Sequence, residues 1–151
     1  MDTNVESSID SNTTNILSNA DNIATNLTTL ANFTSGGRVF VDGQGNIAIG
    51  ESSLVNLDGG VHNYAIGFDA LYYNTSGSYN TASGTQALNY NSTGDYNTAT
   101  GAYALRWNAS GTGNSAFGVG ALSGQTYSVG SGNYNSAFGM NAMGVASGSY
   151  N

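Results

Sequence analysis

The apolar positions of this chain follow two periods, first seven residues and then seventeen. Near the start, "IDSNTTN", "ILSNADN", "IATNLTT" and "LANFTSG" align in sevens, which puts Ile9, Ile16, Ile23 and Leu30 at one heptad position. Asn12, Asn19 and Asn26 follow three residues later, with Thr13, Ala20 and Leu27 beside them. An apolar residue every seven positions makes a seam that must face a partner helix. A lone helix so rich in Asn, Ser and Thr is unstable, because those side chains compete for backbone hydrogen bonds. The pattern therefore predicts an N-terminal α-helical coiled coil over residues 1–35. Ile at the core position, with a polar residue three on, favours three strands over two. The segment ends at the flexible "TSGG" of 34–37.

A connector, 36–45, carries the short apolar bridge "RVFVD" (38–42). The second period then begins, anchored on Asn46, Asn63, Asn80, Asn97, Asn114 and Asn135. Ala stands two residues beyond each anchor (Ala48 to Ala137), Gly four beyond (Gly50 to Gly139), and Leu or Met eight beyond (Leu54 to Met143). A fixed period of this length marks a solenoid, in which each unit buries its face by stacking on the next. Helices fit poorly, given the recurring Gly, Asn and Thr. The expected unit is a short strand, a turn, a second short strand and a turn. Asn, Ala and Gly then share one side of the first strand. Spacing alone leaves open whether that side faces the coil interior or a neighbouring chain. The fold class is thus mostly β: a repetitive parallel β-roll, or β-solenoid, over 46–151, behind an N-terminal coiled coil, and homotrimeric.

Composition narrows the function. Net charge is −7, and Arg38 and Arg106 are the only cations, which argues against nucleic acid as a partner. No run of about 18 apolar residues predicts a membrane insertion. There is no Cys for thiolate metal sites and a single histidine, His62, at a position where other coils carry Tyr. Asp58, Asp69 and Asp95 occupy different coil positions and form no acid–base pair. The expectation is no catalytic residues, no metal, no cofactor and no enzyme.

With both repeats in view, the chain resembles the trimeric bacterial and phage surface fibres that carry trimeric-autotransporter-adhesin-like heads. Their head motif reads approximately Asn-Ser-Val-Ala-Ile-Gly. Here "GNIAIG" (45–50) and "HNYAIG" (62–67) are close, whereas "YNTASG" (79–84) and "GNSAFG" (113–118) are looser. The stalk is similar to that family's coiled coils, whose Val-x-x-Asn-Thr pattern matches Ile9 to Thr13. The resemblance implies a parallel homotrimer with left-handed rolls that attaches or spaces, in a virion tail or at a cell surface. It also implies a chloride-like anion among Asn12, Asn19 and Asn26 on the trimer axis. The opening "MDTNVESSID" lacks the basic and apolar regions of a signal peptide, and no anchor closes the chain. A virion fibre needs neither. The chain stops one residue into a new unit, at Asn151, so the protein is expected to continue. The alternatives are a fragment of a bacterial trimeric autotransporter adhesin and a self-polymerising extracellular filament.

Two aromatic columns are candidate ligand surfaces. Tyr73, Tyr90 and Trp107 recur ten residues past their anchors, and Tyr79 and Tyr96 form a second row. Rigid aromatic surfaces lose little entropy on binding and suit a cell-surface glycan or receptor. The same rows would also serve to shield coil edges or pack between subunits. Asn12, Asn26, Asn32, Asn74, Asn91 and Asn108 begin Asn-x-Ser/Thr sequons, a pattern expected by chance in such a composition. The long step from Asn114 to Asn135 inserts residues around 124–134, where a projecting loop is expected.

Overall fold

The computed structural model describes residues 3–34, 39–124, 132–144 and 148–150, with side chains inside the helix over 7–23. The chain divides into two compact units, Met1–Gly36 and Gly37–Asn151. The first is a single helix, α1, Thr3–Thr34. Its hydroxyls compete for the backbone as the composition predicts: Thr13 Oγ1 donates to the Ile9 carbonyl at 2.9 Å and Thr14 Oγ1 to that of Asp10 at 3.0 Å.

The second unit is a parallel β-solenoid. Its strands are β1 (Val39–Val41), β2 (Ile47–Ile49), β3 (Tyr64–Ile66), β4 (Thr81–Ser83), β5 (Thr98–Thr100), β6 (Ser115–Phe117) and β7 (Ser136–Phe138). They form one sheet in sequence order. From β2 to β7 every pair is parallel, and the register puts Ala48, Ala65, Ala82, Ala99, Ala116 and Ala137 side by side. β1 instead pairs antiparallel with β2. The bridge at 38–42 thus supplies a strand that covers the first edge, which sheets otherwise leave open to pairing.

The side left open by spacing is the interior. The anchor Asn and the Ala two residues on are buried in every coil, while the residues flanking that Ala face outward. Opposite them, Ala70, Ala87, Ala104 and Ala121 and the column Leu54, Leu71, Leu88, Leu105 and Leu122 complete the core. Each buried Leu contributes about 1.5–3 kcal/mol.

The expected second strand is absent from the described coils, for a backbone reason. Positions six and eight beyond the anchor adopt left-handed φ, as at Asp69 (54°) and Leu71 (52°), or Gln86 (55°) and Leu88 (50°). Alternating signs of φ turn the N–H groups up and down the axis. Leu71 N donates to Ala87 O at 3.0 Å in the next coil, while Gln86 N donates to Phe68 O at 2.8 Å in the previous one. Hydrogen bonds between coils therefore persist where strand geometry does not. Left-handed φ costs a residue with a Cβ roughly 1–2 kcal/mol, here offset by Leu burial and those bonds.

Candidate functional site: the polar ladders and the outer columns

Three columns of polar side chains run along the solenoid. The anchors form the first, and Asn80 is representative. Its Nδ2 donates to Asn63 Oδ1 at 3.1 Å and to Gly94 O at 2.8 Å. Its Oδ1 accepts from the backbone N–H of Asn97 at 3.0 Å and from Asn97 Nδ2 at 3.1 Å. All four valences of the buried amide are filled. The same pattern links Asn46, Asn63, Asn80, Asn97, Asn114 and Asn135.

Two further ladders were not read as such from the sequence. Asn91 Nδ2 donates to Asn74 Oδ1 at 2.8 Å, and Asn108 Nδ2 to Asn91 Oδ1 at 3.1 Å. These amides and the anchors converge on shared carbonyls: Gly94 O accepts from both Asn80 and Asn91. Asn74, Asn91 and Asn108 are buried, so as sequons they are closed to glycosylation in the folded chain. The third ladder lies two residues before the anchors. Side-chain oxygens of Ser78, Asp95, Thr112, Asn133 and Ser149 each accept the backbone N–H one coil earlier, as in Ser78 N to Asp95 Oδ1 at 2.7 Å. The signal was available: from Ser78 onward every residue in that column is short and carries an oxygen.

The first ladder begins on a carboxylate. Asp42 Oδ1 accepts from Asn46 N at 2.9 Å and Oδ2 from Asn46 Nδ2 at 2.8 Å, the roles an Asn of a preceding coil would fill. The side-chain bond from Asn46, then its backbone bond, holds the Asp42 carboxyl below its ordinary value of 3.8. A group depressed in the folded state contributes stability that is fully present above its unfolded pKa and is lost as pH falls through the folded one. We expect the exchange protection of the Asn46 amide to hold above the ordinary aspartate pKa and to fall as acid protonates Asp42. In Asp42→Asn that acid limb should disappear, which exchange measured by NMR across the range would check.

The predicted aromatic columns are stacked. Tyr73 and Tyr90 lie 4.8 Å apart at 20°, and Tyr90 and Trp107 4.0 Å apart at 15°. Tyr90, between the other two, has a ring against it from each side, so this row offers ring edges and phenol hydroxyls. Tyr79 and Tyr96 stack at 5.0 Å and 4°, and His62 continues that row at 5.1 Å from Tyr79. This second row sits at left-handed φ (His62 55°, Tyr79 58°, Tyr96 56°), and Gly45 and Gly113 take the same position in other coils. Ring stacking, worth about 0.5–1.5 kcal/mol per pair, stands against that backbone cost.

Asn12 and Asn19 are exposed on α1, as are Ile9, Ile16 and Ile23 at 57%, 68% and 60%. The side chain of Asn26 lies outside the described residues, as does most of the insertion, 125–131. The outer sheet face carries Ile49, Tyr64, Ile66, Phe117 and Phe138 around a centre of Thr81, Ser83, Thr98 and Thr100. Phe117 and Phe138 stack at 5.1 Å. Beside the first aromatic row, Arg106 lies 4.9 Å over Trp107 and 5.3 Å over Tyr103. A cavity of about 20 Å³ next to Trp107 has room for a single water, so a larger ligand at this row must bind on its surface.

Among the described residues, no three His, Asp or Glu side chains gather to hold a metal, and no helix is long and apolar enough to cross a membrane. The geometry defines a class, a parallel β-solenoid threaded by polar ladders. No family model matches the chain, and no curated protein or solved structure matches it.

Proposed function

We propose that this chain is the subunit of a structural homotrimeric fibre, a shaft or head that attaches to a surface or presents a receptor-binding end. The observation that carries the reading is the exposed seam of Ile9, Ile16 and Ile23 on a 32-residue helix. An isoleucine every seven residues, left in water along such a polar helix, forfeits the burial that would stabilise it. Three parallel copies bury the seam as a coiled coil. They also place Asn12 and Asn19 where layers of amides can hold the anion that the family resemblance implies. The outer sheet face supports the same assembly, with its exposed apolar side chains and no charged residue within any of its strands.

The solenoid suits the task through its bonding. Ladders satisfied inside the coil need no charged surface to hold them, and stacking lets length grow without a larger core. Such a filament works in a virion tail or at a cell surface, with itself as its first partner and a cell-surface glycan or receptor as its second.

The test replaces the seam. In Ile9→Asn/Ile16→Asn/Ile23→Asn, the helical circular-dichroism signal should fall by most of α1's share and the solenoid signal should remain. The wild-type helix should melt at a temperature that rises with protein concentration. A helix that melts independently of concentration, with the triple variant equally helical, would overturn the reading.

A further inference from the structure

We propose that Arg106, with the Tyr73–Tyr90–Trp107 row, forms a binding site for a carboxylate-bearing saccharide. This deepens the attachment reading above and rests on it. The starting point is an arginine with no counter-ion among the described residues. Its Nε is buried and has no hydrogen-bond partner. The rings of Tyr103 and Trp107 lie 5.3 and 4.9 Å from its Cζ. A buried donor left unsatisfied costs about 1–3 kcal/mol, and more on a charged group. The repeat does not require that cost. The same column holds Val55, Tyr72, Asn89 and Ser123 in other coils, so neither the stack nor the core demands a guanidinium here.

Both rings lie close to the guanidinium carbon, and with Nε closed to solvent it is the terminal N–H groups that can meet an acceptor from outside. A planar guanidinium so placed matches a carboxylate through paired hydrogen bonds, which a lysine cannot reproduce. Beside it, Tyr72, Tyr73 and Tyr90 bring phenol hydroxyls, with the indole edge of Trp107 at the end of the row. Phenols exchange hydrogen bonds with sugar hydroxyls, while the ring edges cover the apolar C–H positions. A uronate oligosaccharide supplies both chemistries; an isolated carboxylate supplies only one. The chain's net charge of −7 opposes any anion at long range, but physiological salt screens it beyond about 8 Å. At shorter range the guanidinium decides.

Trp107 is the only tryptophan, so its fluorescence reports the site directly. The full chain is titrated with a galacturonate hexamer and with its methyl ester, which keeps the hydroxyls and removes the charge. The expected result is a saturable fluorescence change with the acid and none with the ester. Arg106→Gln should weaken binding about 10- to 100-fold, and Arg106→Lys should recover only part of it. Because the column accepts many residue types, Arg106→Gln should fold with unchanged circular dichroism. No saturable change, or equal binding by the ester or by Arg106→Gln, overturns the proposal. So does a loss of assembly in Arg106→Gln, which would assign the arginine to an acid on a neighbouring copy. Light scattering on the same samples separates the two readings: a trimer that ignores the uronate sinks the site alone, and a monomer that binds it sinks the trimer alone.

Discussion

Gly84→Ala should cost more than about 4 kcal/mol, the range reserved for changes that structure cannot absorb. Two faults coincide at this position. A Cβ there would lie 2.6 Å from the Gly101 carbonyl carbon and 2.7 Å from its oxygen. Both are backbone atoms of the next coil, so no side chain can swing aside. The φ of +139° is also one that residues bearing a Cβ rarely adopt. Gly59→Ala separates the faults, since its φ is +93° but nothing lies within 4 Å of the added carbon. We expect it to lose about 1–3 kcal/mol from conformation alone. Urea unfolding of the two variants at one protein concentration would measure the difference, which is the part due to coil stacking. Equal losses would mean that the coils do not approach as closely as their glycines indicate.

Asn80→Ala is the second large effect, about 3–5 kcal/mol. The substitution removes four hydrogen bonds, yet most of the partners keep another. Asn63 Oδ1 still accepts from the residue 80 backbone at 3.0 Å, and Gly94 O from Asn91 at 2.9 Å. The group left stranded is the backbone N–H of Asn97, whose partner is Asn80 Oδ1. Asn91→Ala strands no backbone N–H, because its ladder joins side chains to side chains and to Gly94 O; the one group it strands is the side-chain oxygen of Asn74. It should cost about half as much, near 2 kcal/mol. A larger loss at Asn91 than at Asn80 would reverse the ranking of the two ladders.

This contrast marks what the sequence could and could not say. The anchors, the Ala and Gly beyond them and the Leu that fills each coil were legible, because stacking requires like residues at like positions. The direction of the Asn side chains was not, since period and alternation are the same for either face. Nor was the left-handed backbone at Leu71 and Leu88. Leucine does not advertise that conformation, and without it a second strand was the natural expectation. Asn74, Asn91 and Asn108 were visible as a 17-residue series, yet their Ser and Thr neighbours made them read as chance sequons. Arg106 was noticed as one of two cations. That it would have rings for neighbours, and no acid among the described residues, depends on which coil positions share a corner, which only coordinates give.

The outer columns follow from the same repeat by another route. Inward positions are nearly all Asn, Ala, Gly or Leu, with Ser53 in place of an Ala in the first coil, so variation collects outside: Ile and Phe toward the ends of the sheet face, Thr at its centre, aromatic rings along the corners. On this account the interior provides a shaft of uniform coils, and the exterior provides the faces that meet other copies and other molecules.

The central claim is that three chains share one particle, and the mass of the purified chain in solution by multi-angle light scattering tests it most directly. The account predicts a single species of three times the chain mass, unchanged on dilution through the micromolar range. A species of one chain mass, with the Ile seam still in water, would contradict it, and so would open-ended filaments.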